Sequence, residues 1–464
     1  MPSLLLITAC ASLGGPPELE GPPPALLAEL DLAGRVLVEP RRAPDSAALA
    51  IVGATVMTAA GDVYEPGHVL VRDGRIQAVG AGDPPSIDGY TLVDATDSFV
   101  TPGLIDTHSH LGVYAMPHGR AHSDGNEMTA ALTPGVWAEH SFWPQDPGLQ
   151  RAVAGGVTTL QILPGSANLA GGRGVTLHLV PHRGSRAMRF PGAPETLKMA
   201  CGENPKRVYG SRNTAPSTRM GNLRDTRDGW AQAVHYQASW AAYAEKLHAG
   251  DPEAQAPARD LDLETMVGVL EGRVLPQIHC YRADDMLSLI QVSHEFDFQI
   301  RSFHHALEAY KIRDVLAAED IAINTWADWW GFKLEAYDGI PYNLALVEDA
   351  GGMAVLHTDS SEGIQRMNQE AAKAWQSGQE AGLDISQDAA LGWITANPAW
   401  VLGIEDQVGT LEPGKRADLV IWDGHPFSVY TQAQQVWIDG VLVHDANVSV
   451  PPWSDFELGQ EVGR

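Results

Sequence analysis

Lysine and arginine are scarce in this chain of 464 residues, 31 against 58 aspartates and glutamates, which leaves a net charge of -27. So acidic a composition excludes nucleic acid and an anionic lipid face as partners, since both call for a basic patch. Cysteine is scarcer still, with three residues in all. Cys201 and Cys280 are too few and too far apart in sequence to suggest a disulfide scaffold, and they read as small packing residues. No run approaches the ~18 apolar residues of a membrane span. No GxGxxG follows a strand pattern, so a dinucleotide site has no support. What the chain does have is apolar material, 44% of its residues, enough for one large domain and a smaller companion.

The first ten residues, MPSLLLITAC, end in Ile7-Thr8-Ala9-Cys10, which resembles the lipobox of bacterial lipoproteins. The basic segment of a signal peptide is missing and the apolar stretch is short; a start codon called too far downstream accounts for both. The Pro-rich stretch from Gly14 to Pro24 reads as a tether between an anchor and a folded body. The expectation is a cell-envelope or periplasmic protein that touches the membrane only through lipid on Cys10. The default without that anchor is a cytoplasmic protein.

From Ala48 to Val100 short apolar runs alternate with turn residues, and Asp73-Gly74 between two alternating runs signals a hairpin. Ala417 to His444 behaves alike, with a second turn at Asp439-Gly440. The two β-rich flanks are expected to pair into one small β-sandwich, because the termini of a barrel lie close together. Between them, strand-like runs alternate with amphipathic stretches at 229–248, 261–271, 284–295, 308–318, 364–381 and 387–402. That is the pattern of βα units around a parallel sheet. Seven strand candidates (GLIDTHSH, GVTTLQILP, ETLKMACG, RVLPQIHC, FQIRSFHH, DIAINTW and GMAVLHTD) fit a (β/α)8 TIM barrel better than a doubly wound sheet. The resulting division is a leader tether at 1–47, the first part of the sandwich at 48–100 and the barrel at 101–404. The second part of the sandwich and a C-terminal tail occupy 405–464.

Catalytic groups in TIM barrels stand at the C-terminal ends of the strands. The polar residues that end these strand candidates are His108 and His110, Lys198, His279, His304 with His305, and Asp359. His108 and His110 are two apart on a strand and point to the same side, where one cation takes both imidazoles. An HxH pair is a weak signal alone, a surface or core pair being commoner. It gains weight because His279, His304 and Asp359 each end a later strand, and burying so many polar groups without a shared partner such as a metal is costly. Ligands of this mix suit Zn2+ or a similar divalent transition ion. Lys198 lies inside a strand, where a bare ammonium facing the interior carries a large desolvation penalty unless it points outward or pairs with a carboxylate.

The segment Val100-Thr101-Pro102-Gly103-Leu104-Ile105-Asp106-Thr107-His108-Ser109-His110 resembles the first-strand signature of the amidohydrolase superfamily, particularly imidazolonepropionase-like and barrel dipeptidase-like members. Residues 154–174 resemble the second-strand region of that superfamily, and residues 395–427 resemble its return from barrel to sandwich. One departure is His304-His305, where the sixth-strand pattern commonly reads His-Gly. His304 aligns with the ligand, and His305 competes for the role.

The resemblance implies a metal-dependent hydrolase of a C–N bond in an amide, cyclic amide or dipeptide, acting through water activated by a divalent ion. Asp359 would bind metal and shuttle the proton to the leaving nitrogen, while His304 or His279 orients the carbonyl in a mononuclear variant. Lys198 resembles the strand lysine of binuclear members, which carries a carbamate derived from CO2. His108, His110 and Asp359 would then hold one ion, and His279 with His304 the second; imidazolonepropionase-like members use one. The resemblance thus allows one or two ions per chain. The alternatives are a deaminase of the same superfamily and a non-catalytic, metal-binding barrel lipoprotein. The partner is a small-molecule or dipeptide substrate, and a homo-oligomer is compatible with the sequence.

Weaker signals surround this set. Tyr281 and Arg282 could bind a substrate carboxylate, although a salt bridge at a helix start is the more ordinary role for the arginine. Trp326, Trp329 and Trp330 suit either a pocket wall or packing beneath a loop. Glu203 is a loop carboxylate by default. Specificity is expected in the loops Leu111–Gln150 and Lys206–Asp228.

Overall fold

Five strands precede the barrel: β1 (Leu49–Met57), β2 (Val63–Arg72), β3 (Arg75–Ala81), β4 (Thr91–Asp94) and β5 (Phe99–Pro102). The barrel holds β6 (Leu104–Ser109), β7 (Val157–Ile162), β8 (Ala170–His178), β9 (Glu195–Ala200), β10 (Val274–Cys280), β11 (Ser302–His305), β12 (Ala322–Thr325) and β13 (Ala354–Leu356). Three more follow it: β14 (Leu419–Trp422), β15 (Ala433–Ile438) and β16 (Val441–Asp445). This computed structural model describes residues 48–448, so Cys10 and the Pro-rich tether lie outside the described residues.

The β2–β3 turn forms where expected, with Asp73 and Gly74 both at positive φ, 53° and 71°, the conformation that a tight hairpin turn requires. The two β-rich flanks do meet. They build one eight-stranded sheet in the order β16-β15-β14-β5-β1-β2-β3, with β4 added to β1. The join is antiparallel, with Leu419 opposite Pro102 and Trp422 opposite Phe99. Ile51, Val56, Val69, Val100, Leu419 and Trp437 give this sheet a core of its own.

All seven strand candidates of the barrel are strands. The eighth, β8, runs antiparallel to both neighbours, Leu160 of β7 facing Leu177 and Lys198 of β9 facing Gly172. The expected all-parallel arrangement is corrected to this extent. β8 reads AGGRGVTLH and is buried throughout, so it shows neither alternation nor an apolar run. Its glycines admit close neighbours: a Cβ on Gly174 would lie 2.6 Å from Thr196 Oγ1.

The barrel is nearly closed, and its seam between β13 and β6 is bridged by residues that follow a broken helix. The Trp393 and Ile394 carbonyls accept from Leu356 N–H and Ile105 N–H at 3.0 and 2.9 Å. This is why the single helix expected at 387–402 is two, Gln387–Gly392 and Ala396–Leu402: the break frees those carbonyls for the barrel. Asp359 N–H donates to the His108 carbonyl across the same seam at 3.1 Å.

Part of the expected loop 206–228 is helical instead. One helix spans Glu203–Gly210, and a longer one, Arg219–His248, begins where the Thr218 hydroxyl accepts from Gly221 N–H at 3.1 Å. That hydroxyl satisfies a backbone donor the helix start would otherwise leave unpaired. Among the described residues no helix is long and apolar enough to cross a membrane.

Candidate metal centre

The strand ends bring His108, His110, Lys198, His279, His305, His357 and Asp359 together at one end of the barrel. Ring nitrogens of His108 and His110 and a carboxylate oxygen of Asp359 all lie within 4.8 Å of one another. His110 Nε2 is 3.3 Å and His108 Nε2 is 3.8 Å from Asp359 Oδ1. A second group at the same spacing joins His108 to His305 and His357. His279 packs on His305 with ring centroids 4.5 Å apart. His305, Ala306 and Asp359 have positive φ, 70°, 37° and 49°, a conformation that non-glycine residues seldom adopt and that clusters at functional sites.

Hydrogen bonds fix which nitrogen of each ring is available. The His110 Nδ1–H donates to the Leu163 carbonyl at 2.8 Å, leaving Nε2 as a lone pair facing Asp359. His304 sits between His108 and Gln277, with its Nε2 2.8 Å from Gln277 Oε1 and its Nδ1 2.8 Å from His108 Nδ1. Gln277 Nε2 donates to the Val401 carbonyl, so its oxygen faces His304 and accepts from Nε2–H. His304 Nδ1 is therefore the acceptor, His108 Nδ1–H is the donor, and His108 Nε2 carries the free lone pair. The Lys198 ammonium, 1% exposed, donates to that lone pair at 3.3 Å. The sequence reading aligned His304 with the ligand. In the structure both its ring nitrogens have protein partners, and His305, one residue on, turns toward the centre.

At this centre, among the described residues, four buried ring nitrogens have no hydrogen-bond partner: His279 Nδ1, His305 Nδ1, and both nitrogens of His357. Buried polar atoms are mostly paired, so these orphans, beside two histidines whose unprotonated Nε2 atoms face a carboxylate, form a donor set of the kind a divalent transition ion takes. Electrostatics prepare the rings for that role. Burial and the Lys198 charge hold His108, His279 and His304 well below the ordinary histidine range and push His110 down to about 3. Neutral imidazole is the form that ligates metal. Burial raises the Asp359 carboxyl against the opposing pull of Lys198, and burial lowers the Lys198 ammonium.

Sequence reasoning missed Asp106. Wholly buried, it accepts from His108 N–H at 3.1 Å, from Thr358 N–H at 3.3 Å and from the Thr358 hydroxyl. It thereby ties the strand bearing the HxH pair to the turn bearing Asp359. Its signal was the Asp-x-His-x-His spacing within the first-strand segment. The expectation for Cys201 and Cys280 is corrected outright: they are disulfide-bonded, with Cα atoms 5.2 Å apart. Distance in sequence misled, because Cys280 ends β10 and Cys201 directly follows the neighbouring strand β9, in a register that sets Ala200 beside His279.

The weaker candidates also find places. Arg282 pairs with Asp284 at 2.7 Å at the start of the helix Ala283–Phe296, the ordinary role expected for it. Glu203 pairs with Lys333 at 3.1 Å. Lys333 also donates to Asn204 Oδ1, and Asn204 Nδ2 lies 3.3 Å from His279 Nε2. Trp326 stacks on His305 with centroids 4.5 Å apart, and Trp329 and Phe332, both near half exposed, continue the aromatic wall outward.

With this geometry in hand, known proteins give a consistent picture. The model of the Amidohydrolase family matches residues 334–448. The crystal structure of an amidohydrolase from Thermotoga maritima MSB8 aligns with a TM-score of 0.77 and 36% identity, over 86% of this chain and 100% of that one. Amidohydrolase tasK of Hapsidospora irregularis is 35% identical over 398 residues, which are 82% of this chain; the chain spans 40% of that relative's length. The 5-methylthioadenosine/S-adenosylhomocysteine deaminase of Symbiobacterium thermophilum is 25% identical over 81% of this chain and 85% of its own. The chain belongs to the amidohydrolase family, hydrolases that act on carbon–nitrogen bonds.

Proposed function

We propose that this chain is a metal-dependent hydrolase that cleaves a C–N bond in a small amide, cyclic amide or dipeptide. The observation that carries the reading is the set of unpartnered buried ring nitrogens beside histidines whose unprotonated Nε2 atoms face Asp359. His108, His110 and Asp359 would hold one ion, and His279 and His305 would hold a second, with Zn2+ the favoured metal. A divalent ion bound there supplies Lewis acidity toward the scissile carbonyl and acidifies water to near neutrality. Asp359, whose side chain is 22% exposed, takes the proton from the attacking water and returns it to the leaving nitrogen. His304 holds His108 in the tautomer that keeps Nε2 free. The wall of Trp326, Trp329 and Phe332 favours a substrate with a flat apolar group.

Lys198, carrying a carbamate, would help hold the ions in this reading. Among the described residues its one hydrogen-bond partner is His108 Nε2, so the amine faces the centre with none of their carboxylates bonded to it. Addition of its lone pair to CO2, with loss of a proton, gives a carbamate anion and removes the cost of a buried cation. The architecture is read as a (β/α)8 TIM barrel modified at β8, with the second sheet as its β-sandwich companion. The Cys201–Cys280 disulfide supports an oxidising compartment and hence the cell-envelope location expected from Cys10.

A deaminase is the second reading, favoured by the 25% identity to a deaminase over 85% of its length. Turnover by Zn2+-loaded protein on dipeptides, cyclic amides and aminopurines, read by release of amine, carboxylate and ammonia, separates the two. Amide products without ammonia support the first reading, and ammonia from an aminopurine supports the second. No turnover by fully loaded protein across the panel leaves the non-catalytic metal-binding barrel and overturns the proposal.

A further inference from the structure

His357 follows β13, two residues before Asp359, and plays no part in the ligand set assigned above. Its ring is 1% exposed and lies among His108, His305 and Trp326, with each centroid 5.0 Å away. Neither ring nitrogen has a hydrogen-bond partner. A neutral imidazole carries one donor and one acceptor, and a histidine kept only for packing secures at least one of them, as His304 does with both. The segment around His357 is held firmly. His357 N–H donates to the Thr325 carbonyl at 3.1 Å, Thr358 is bound to Asp106, and the Trp326 indole donates to the Thr358 carbonyl at 3.1 Å. The ring is thus fixed in place with its polar edge unmet, and ring nitrogens of His108 and His305 stand within 4.8 Å of it.

We propose that His357 is a direct ligand of the metal centre, where its ring stands between His108, assigned above to the first ion, and His305, assigned to the second. This rests on the reading of the cluster as a metal site and adds to it a ligand from the strand so far credited with Asp359 alone. A further imidazole ligand suits zinc, copper, nickel or iron rather than magnesium or calcium.

The test uses the full chain, titrated with Zn2+ and, separately, Co2+, alongside His357→Phe and His357→Ala. Phe keeps the ring and removes both nitrogens; Ala leaves room for added imidazole. Circular dichroism of the metal-free proteins reports folding independently. The expected result is a loss of roughly tenfold or more in apparent metal affinity for both variants, with an altered Co2+ visible spectrum that imidazole restores in His357→Ala. Wild-type affinity and an unchanged spectrum in a folded variant would overturn the assignment while leaving the centre intact. Failure of the wild-type chain to take up either metal would overturn the centre itself.

Discussion

His304 Nδ1 accepts the hydrogen bond of His108 Nδ1–H at 2.8 Å, while Nε2 on the other side of the same ring donates to Gln277 Oε1 at 2.8 Å. A relay anchored at Gln277 thus decides which nitrogen of His108 faces the centre. Truncation as His304→Ala removes the acceptor and lets His108 change tautomer. The expected outcome is a loss of about 10–100-fold in metal affinity, the usual effect of removing such an orienting partner. It is checked by competition with a chelator. Unchanged affinity in a folded His304→Ala protein would mean that the tautomer is set elsewhere.

Asp359→Asn fills the same volume but neither accepts the proton nor carries charge. Hydrolysis of a substrate found by the panel is expected to fall by about a hundred- to ten-thousand-fold, with the melting temperature of the metal-free protein nearly unchanged. Turnover near that of the wild type would move the proton shuttle to another residue.

Reconstitution with Zn2+ is expected to yield more activity in the presence of bicarbonate than without it, if Lys198 carries a carbamate. Lys198→Ala should lose its second metal and recover part of its activity with short carboxylic acids, which place an anion where the carbamate stood. A bicarbonate-independent wild type with one metal per chain would favour the mononuclear scheme.

At the junction of barrel and outer sheet, the buried Asp418 carboxylate bonds His178 Nε2 at 2.6 Å and Asp439 N–H at 2.8 Å. Burial pushes its carboxyl up, but His178, the Asp439 backbone and Arg416 together hold it below the usual carboxylate range. A depressed folded-state pKa stabilises the protein above the unfolded value near 4, and that stability is lost as pH falls through the lower folded value. Removing the charge as Asp418→Asn is expected to cost on the order of 3–5 kcal/mol and to flatten the acid limb of a denaturation profile below about pH 4. An unaltered acid limb would show that the pair does not govern acid stability.

Much of this was legible before the structure, and unevenly so. The seven parallel strands announced themselves as apolar runs ending in polar residues, because the barrel buries each strand while its C-terminal end opens to the site. β8 escaped because glycine-rich strands carry no periodic signal, and Cys201 with Cys280 escaped because lateral pairing between parallel strands joins residues remote in sequence. The choice between His304 and His305 rests on which ring nitrogens find hydrogen-bond partners, which no residue pattern records. Asp106 and His357 were hidden for a related reason. Both lie within segments that had been noticed, but their roles depend on which atoms lack or find partners in three dimensions.

The central claim is that the strand-end histidines and Asp359 hold a catalytic divalent metal. The most direct measurement is the metal content of the purified full chain by mass spectrometry, beside that of a double variant, His108→Ala with His110→Ala, treated identically. The account predicts at least one divalent transition ion per wild-type chain and a folded double variant nearly free of metal. Full metal occupancy in the double variant would contradict it.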